Sequence, residues 1–298
     1  MTTICADETV TRGWAAPITM AVTVFTVVTA EMLPVGLLTP IGESLHVTEG
    51  TAGLALTTTG LVSAVAAPVL PLALGRLDRR AALGGLMVLL ALGSFVVAIA
   101  PVYWMFIAAR VLMGLSIGGV WTLTIGLARR VVPEHAAGPA TSLIFSGIGI
   151  ASVLGIPAGA YVGELLGWRW AFAGVGVLSM ALAVALTFHL PSLAPEQAVG
   201  WKDVRDVLQI KQVRVGLLLV TLIVTGHFAA YTYIRPLLEP RTGPALIGTF
   251  LLAYGVAGVI GNFLTGAREG PAPAEEFTDV RAGRDAQHRS DSDAAEDE

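Results

Sequence analysis

The sequence is short of charge and nearly without cysteine or lysine. Of its 298 residues, 13 % are Asp, Glu, Lys or Arg, about half the share usual in a soluble domain. So little polar side chain cannot cover a globular surface, which excludes a water-exposed fold as the default. One cysteine, Cys5, rules out an intrachain disulfide and any multi-thiolate metal site. The two lysines, Lys202 and Lys211, follow no glycine of a phosphate-binding loop, so ATP-driven chemistry has no local support. His46, His135, His189, His227 and His288 are too scattered for a His-Glu-x-x-His zinc site. A net charge of −4, from 18 basic and 22 acidic residues, excludes a strongly basic nucleic-acid binder. No enzyme activity, cofactor or nucleic-acid partner is expected.

What the chain has is apolar length: 54 % hydrophobic residues and a mean hydropathy of +0.73. Uncharged runs cover 13–30, 51–75, 81–109, 111–128, 136–163, 170–195, 215–234 and 242–267. A helix rises about 1.5 Å per residue, so about 20 apolar residues cross a hydrocarbon core about 30 Å thick. The runs predict eight membrane helices over 15–38, 51–74, 81–100, 102–127, 138–162, 170–190, 214–234 and 245–266. Barrel strands are short and alternate apolar with polar residues, unlike these runs. The first span does not read as a cleaved signal peptide, because Arg12 is offset by Asp7 and Glu8 and the apolar stretch is too long.

With the N-terminus inside, ten Lys and Arg fall in inner segments and three, Arg169, Arg235 and Arg241, in outer ones. That asymmetry predicts a multi-pass protein of the cell membrane with a cytoplasmic N-terminus. The expected organisation is a cytoplasmic segment over 1–14, a six-helix bundle over 15–190 and a cytoplasmic loop over 191–213. Two further helices then occupy 214–266. Residues 267–298 hold ten acids and four arginines, too polar to bury a core, and predict a disordered tail. Without them fourteen basic residues face twelve acidic ones, so the negative charge belongs to the tail.

Two short matches suggest an internal repeat. Val28-Thr29-Ala30-Glu31 resembles Val224-Thr225-Gly226-His227, 196 residues later, and Gly60 recurs as Gly255, 195 later. Six helices followed by the first two of a second set is the expected reading, a parallel repeat of six-helix units.

The chain resembles the major facilitator superfamily, and within it the drug and sugar efflux permeases related to the arabinose and chloramphenicol exporters. The resemblance rests on Ala30-Glu31-Met32-Leu33-Pro34-Val35-Gly36-Leu37-Leu38, Gly75-Arg76-Leu77-Asp78-Arg79-Arg80 and Ala109-Arg110-Val111-Leu112-Met113-Gly114. It continues with Gly155-Ile156-Pro157-Ala158-Gly159, Gly167-Trp168-Arg169-Trp170-Ala171-Phe172 and Gly226-His227-Phe228-Ala229-Ala230-Tyr231-Thr232-Tyr233. It implies an all-α bundle that moves a small molecule by alternating access, with a proton as coupling ion. The family has twelve helices, so the expected chain stops after eight. It is then an efflux transporter completed by self-association or by a partner, or a truncated or frameshifted remnant that transports nothing.

Glu31 and Arg110 are lone charges in the first and fourth spans, at similar depths about 10–12 Å below the outer boundary by helical rise. Burying a charge there is unfavourable and needs a reason. The resemblance implies proton or substrate coupling; a structural ion pair is the alternative. His227, equivalent to Glu31 in the repeat, faces the substrate path or packs as a hydrogen-bonded histidine. Tyr231 and Asn262 are polar contacts to substrate or bonds between helices. Gly155, Gly159 and Gly163 share a helix face, with Pro157 loosening the backbone between them. The resemblance implies that they pack the fifth span against the partner half, while close packing alone also accounts for them. Gly75, Asp78, Arg79 and Arg80 form an inner gate by resemblance, although positive-inside topology accounts for the arginines alone. Gly114-Leu115-Ser116-Ile117-Gly118 spells a nucleophile elbow, but mid-helix it reads as packing.

Overall fold

A long first helix is the axis about which the others pack. In the computed structural model, α1 (Ile4–Leu45) touches α2 (Glu49–Ala73), α4 (Tyr103–Leu127), α5 (Ala137–Ile150), α6 (Ile156–Leu166), α7 (Trp168–His189) and α9 (Ile234–Thr242). From Gly13 to Leu45, 83 % of its most apolar stretch is buried, against 56 % in α3 (Arg79–Ile99) and none in α8 (Lys211–Thr232). A π-helical turn, Ala151–Gly155, joins α5 to α6, and α10 (Ile247–Gly266) closes the series. The structure describes residues 4–74, 77–127, 130–133, 136–192, 205, 207–243 and 246–266. Two compact units are present, Met1–Val256 and Ala257–Glu298; the acidic stretch 267–298 expected to be disordered lies outside the described residues.

Seven helices among the described residues are long and apolar enough to cross a membrane. The elements are helical with no strand among the described residues, in line with the all-α reading. Boundaries moved mainly where proline sits. The first span continues past 38 to Leu45 with Pro40 inside it. The seventh breaks at Tyr233 and resumes as α9, because Pro236 has no N–H for the carbonyl of Thr232 one turn before it.

Local signals fix the corners. Thr48 caps α2, accepting from the N–H of Thr51 at 3.2 Å. Gly167 adopts φ +95° between α6 and α7, a conformation that glycine reaches without a Cβ clash. Just beyond it Trp168, Phe172 and Phe106 pack edge to face with centroids 6.0–6.3 Å apart. Arg169 lies over the Trp168 ring at 4.3 Å and donates to Ser44 and to the Ala100 carbonyl, tying the ends of α1, α3 and α7 together.

Candidate functional site

Arg110 is fully buried on α4, and its donors go to three backbone carbonyls and, more weakly, to the Met113 sulfur at 3.8 Å. Nη1 donates to the Ala30 carbonyl at 3.0 Å, Nη2 to the Glu31 carbonyl at 3.1 Å and Nε to the Ala55 carbonyl at 3.4 Å. Ala30 precedes Pro34 by one helical turn, so its carbonyl has lost its ordinary helical donor. The two charged residues singled out from depth do meet. The hydrogen bond between them runs to the main-chain carbonyl of Glu31 rather than to its carboxylate.

Glu31 also belongs to a cavity wall. It lines a cavity of about 660 Å³ between α1, α2 and α8, whose wall also includes Thr57, Thr221, Thr225, Phe228 and Tyr233. Pockets of about 300–1,000 Å³ suit small organic ligands. The wall offers one carboxylate acceptor, several hydroxyls and two aromatic rings on an apolar ground. At one end the Tyr233 hydroxyl sits so close to Gly53 that an added Cβ there would lie 2.8 Å from it.

The seventh-span residues divide. His227 does not line this cavity. Its ring stacks on Tyr231 at 5.8 Å, and the Tyr254 hydroxyl lies 3.3 Å from its nitrogens. Tyr231 is buried and stacks on Tyr254 at 4.8 Å. Tyr231 therefore packs between α8 and α10, with the exposed His227 ring beside it. Asn262 lies on α10 outside the residues whose side chains are described.

The glycines of the fifth span turn toward α1. A Cβ added at Gly155, Gly159 or Gly163 would meet Thr29 Oγ1 at 2.1 Å, Leu33 Cδ1 at 2.1 Å or Leu37 Cδ2 at 2.2 Å. The expected packing against the second half falls to a neighbouring face, where Gly255 approaches Ser152 and Gly248 approaches Tyr161. Pro157 follows the π turn directly; its missing N–H and its ring exclude the regular bond to Val153.

Of the expected inner gate, Gly75 lies outside the described residues. Asp78 caps α3 by accepting from the N–H of Arg80 at 2.8 Å, and it also accepts from Ser192 beyond α7. Arg80 donates to the Leu190 carbonyl at 3.3 Å. Arg79 opens α3 with Nη1 buried and without a hydrogen-bond partner among the described residues. These bonds join α3 to the end of α7. Ser116 is buried and donates to the Leu86 carbonyl at 2.6 Å, a packing serine as its mid-helix setting implied.

Arg235 escaped the sequence reading, which counted it as an outer-loop charge. It is 3 % exposed, donates to the Gly36 carbonyl at 2.5 Å, and pairs with Glu164 at 3.2 Å and Glu239 at 3.1 Å. The signal was present: Pro40 lies one turn beyond Gly36 and frees its carbonyl.

Comparison with known proteins agrees with this architecture. The family model described as Major Facilitator Superfamily matches residues 20–268. The chain is 37 % identical over 259 residues to the transcription regulatory protein OpdE of Pseudomonas aeruginosa, covering 85 % of this chain and 64 % of that protein. It is 32 % identical over 262 residues to the purine ribonucleoside efflux pump NepI of Escherichia coli, covering 87 % of this chain and 66 % of the pump. The chain thus spans just under two thirds of these relatives' length. Among solved structures it superposes on the peptide transporter POT bound to alafosfalin with a TM-score of 0.54 at 14 % identity, over 70 % of this chain and 46 % of that one. The POT family transporter PepTSo gives 0.52 at 19 % identity, over 88 % and 55 %. Both likenesses concern the fold.

Proposed function

This chain belongs to the Major Facilitator Superfamily and is a multi-pass membrane protein, and from that premise we propose that it serves proton-coupled export of a small molecule across the cell membrane. The carrying observation is Glu31, the one acid of the first span's apolar stretch, in the wall of the 660 Å³ cavity. A carboxylate held among apolar groups changes charge with protonation, and its contacts to a bound molecule change with it. Substrate hydroxyls or amines would bond Glu31, Thr57, Thr221 and Thr225, while a flat ring would lie against Phe228. A purine ribonucleoside is the first substrate to try, because a relative is such a pump. Arg110 serves as a fixed brace of the first span's backbone beside Glu31. The N-terminus is assigned to the cytoplasm from the distribution of Lys and Arg.

The apolar surface of α8, none of whose most apolar stretch is buried, supports association with further helices, from a second copy or a partner. The full chain reconstituted alone tests both readings. Uptake of labelled inosine into inverted vesicles should follow an imposed proton gradient and be lost in Glu31→Gln. Equal gradient-driven uptake by Glu31→Gln would overturn the coupling role; no uptake by the unaltered chain would overturn transport by this chain unaided.

A further inference from the structure

The cavity wall carries two stripes with matching spacing. Gly53, Gly60 and Ala64 line it from α2, seven and then four residues apart. Thr232, Thr225 and Thr221 line it from α8, again seven and then four apart, read in the opposite direction. Such steps keep each set on a single helix face. Tyr233, just past the end of α8, meets Gly53 near the start of α2, so the two stripes are antiparallel. One is a floor of small residues and the other a row of hydroxyls.

The hydroxyls differ in what they have spent. Thr221 donates to the Leu217 carbonyl at 2.7 Å, as Thr23, Thr26 and Thr29 do to carbonyls of their own helix. Thr225 and Thr232 have no hydrogen-bond partner among the described residues, and Thr232 is only 8 % exposed. A hydroxyl so enclosed calls for a partner, and the glycines of the facing stripe have no side chain to supply one. Gly60 is itself unexplained by packing. No atom lies within 4 Å of where its Cβ would stand, whereas its repeat counterpart Gly255 is filled by the main chain of Ser152. Among the described residues no lysine, arginine or histidine lines the cavity, and Glu31 is its one charged group.

The geometry points to one class of ligand: an uncharged molecule whose flat ring lies on the α2 floor at Gly60 and whose hydroxyl or amide groups, along one edge, bond Thr225 and Thr232. Those two threonines stand about 10 Å apart by helical rise, which suits a ring joined to a sugar. A phosphate or carboxylate on the ligand would meet Glu31 with no cation to balance it, so anionic derivatives are rejected. Gly60 determines specificity through the side chain it lacks, and Thr232 through its unspent hydroxyl. This deepens the transport reading, on which its purpose rests, but it concerns binding alone.

Equilibrium binding to the purified full chain in detergent tests this without a gradient. Tritiated inosine should bind, and inosine 5′-monophosphate should compete about a hundredfold less well than unlabelled inosine. Gly60→Leu sends a side chain into open space, so its melting temperature should stay at or above that of the unaltered chain while inosine binding falls about tenfold. Thr232→Val keeps the shape and removes the hydroxyl, and should weaken binding about fivefold, the loss of one hydrogen bond. Unchanged binding in Gly60→Leu, a fall in melting temperature that accounts for its lost binding, equal competition by the monophosphate, or no binding of inosine would each overturn the assignment. Selective binding without proton-driven uptake would sink the transport reading alone. Proton-driven uptake that Gly60→Leu leaves intact would sink this inference alone.

Discussion

The guanidinium of Arg110 donates at 3.0 Å to the carbonyl of Ala30, the acceptor that Pro34 deprives of its helical donor. The arginine and the proline are therefore one device built from two helices, and each makes sense of the other. An N–H restored at position 34 would compete for that carbonyl.

A double-mutant cycle tests this coupling. Arg110→Met leaves a buried carbonyl unsatisfied, at a cost of about 1–3 kcal/mol. In a Pro34→Ala background the helix supplies its own donor, so the cost should fall by about 1 kcal/mol or more. Denaturant unfolding of the detergent-solubilised chain measures both, and strictly additive losses would disprove the coupling.

Glycines against α1 should rank by what they touch. A Cβ at Gly147 meets the Ala21 carbonyl at 2.4 Å and the Phe25 nitrogen at 3.0 Å, both main chain, whereas one at Gly163 meets the terminal methyl of Leu37. Gly147→Ala is expected to cost about 1–3 kcal/mol by overpacking. Gly163→Ala should come out near neutral, because Leu37 can adjust and alanine gains about 1 kcal/mol of helix propensity. Thermal melts in which Gly163→Ala proves the worse would contradict the packing described.

Asp78 should act as a cap before anything else. Asp78→Ala is expected to destabilise the start of α3 by about 0.5–2 kcal/mol, seen as faster amide exchange from Arg80 to Ala82. Asp78→Asn keeps an oxygen for the Arg80 N–H and should restore most of that protection. Full loss of protection in Asp78→Asn would mean that the charge, not the cap, carries the effect.

Ser116 should be chemically silent. Its hydroxyl is buried and committed to the Leu86 carbonyl, so a fluorophosphonate probe should leave it unmodified in the folded protein. Stoichiometric labelling at Ser116 would reopen hydrolase chemistry.

Much of the helical layout is legible in the sequence because hydrocarbon excludes charge so strongly. The span expected over 81–100 is found as Arg79–Ile99, with arginines marking its edge. Proline was harder to read. Thr39-Pro40 looks like a helix end by the rules of water, yet α1 passes through it because Arg235 from a distant helix completes the missing bond. Depth brought Glu31 and Arg110 together, but depth carries no information on which acceptor a guanidinium chooses. The wall opposite Glu31 and the stacking of Tyr231 against Tyr254 depend on how distant helices meet, which no local pattern encodes. Gly155, Gly159 and Gly163 announced close packing in their spacing, while the identity of the partner helix had to come from three dimensions.

The π turn at Ala151–Gly155 has a consequence for the phase of the whole fifth span. Eight residues of regular helix would rotate Gly155 about 80° away from Gly147. Both nevertheless lie on α1, within reach of Phe25. The wider turn absorbs about one residue and works as a vernier, bringing a glycine groove that is out of step in the sequence back into step in space.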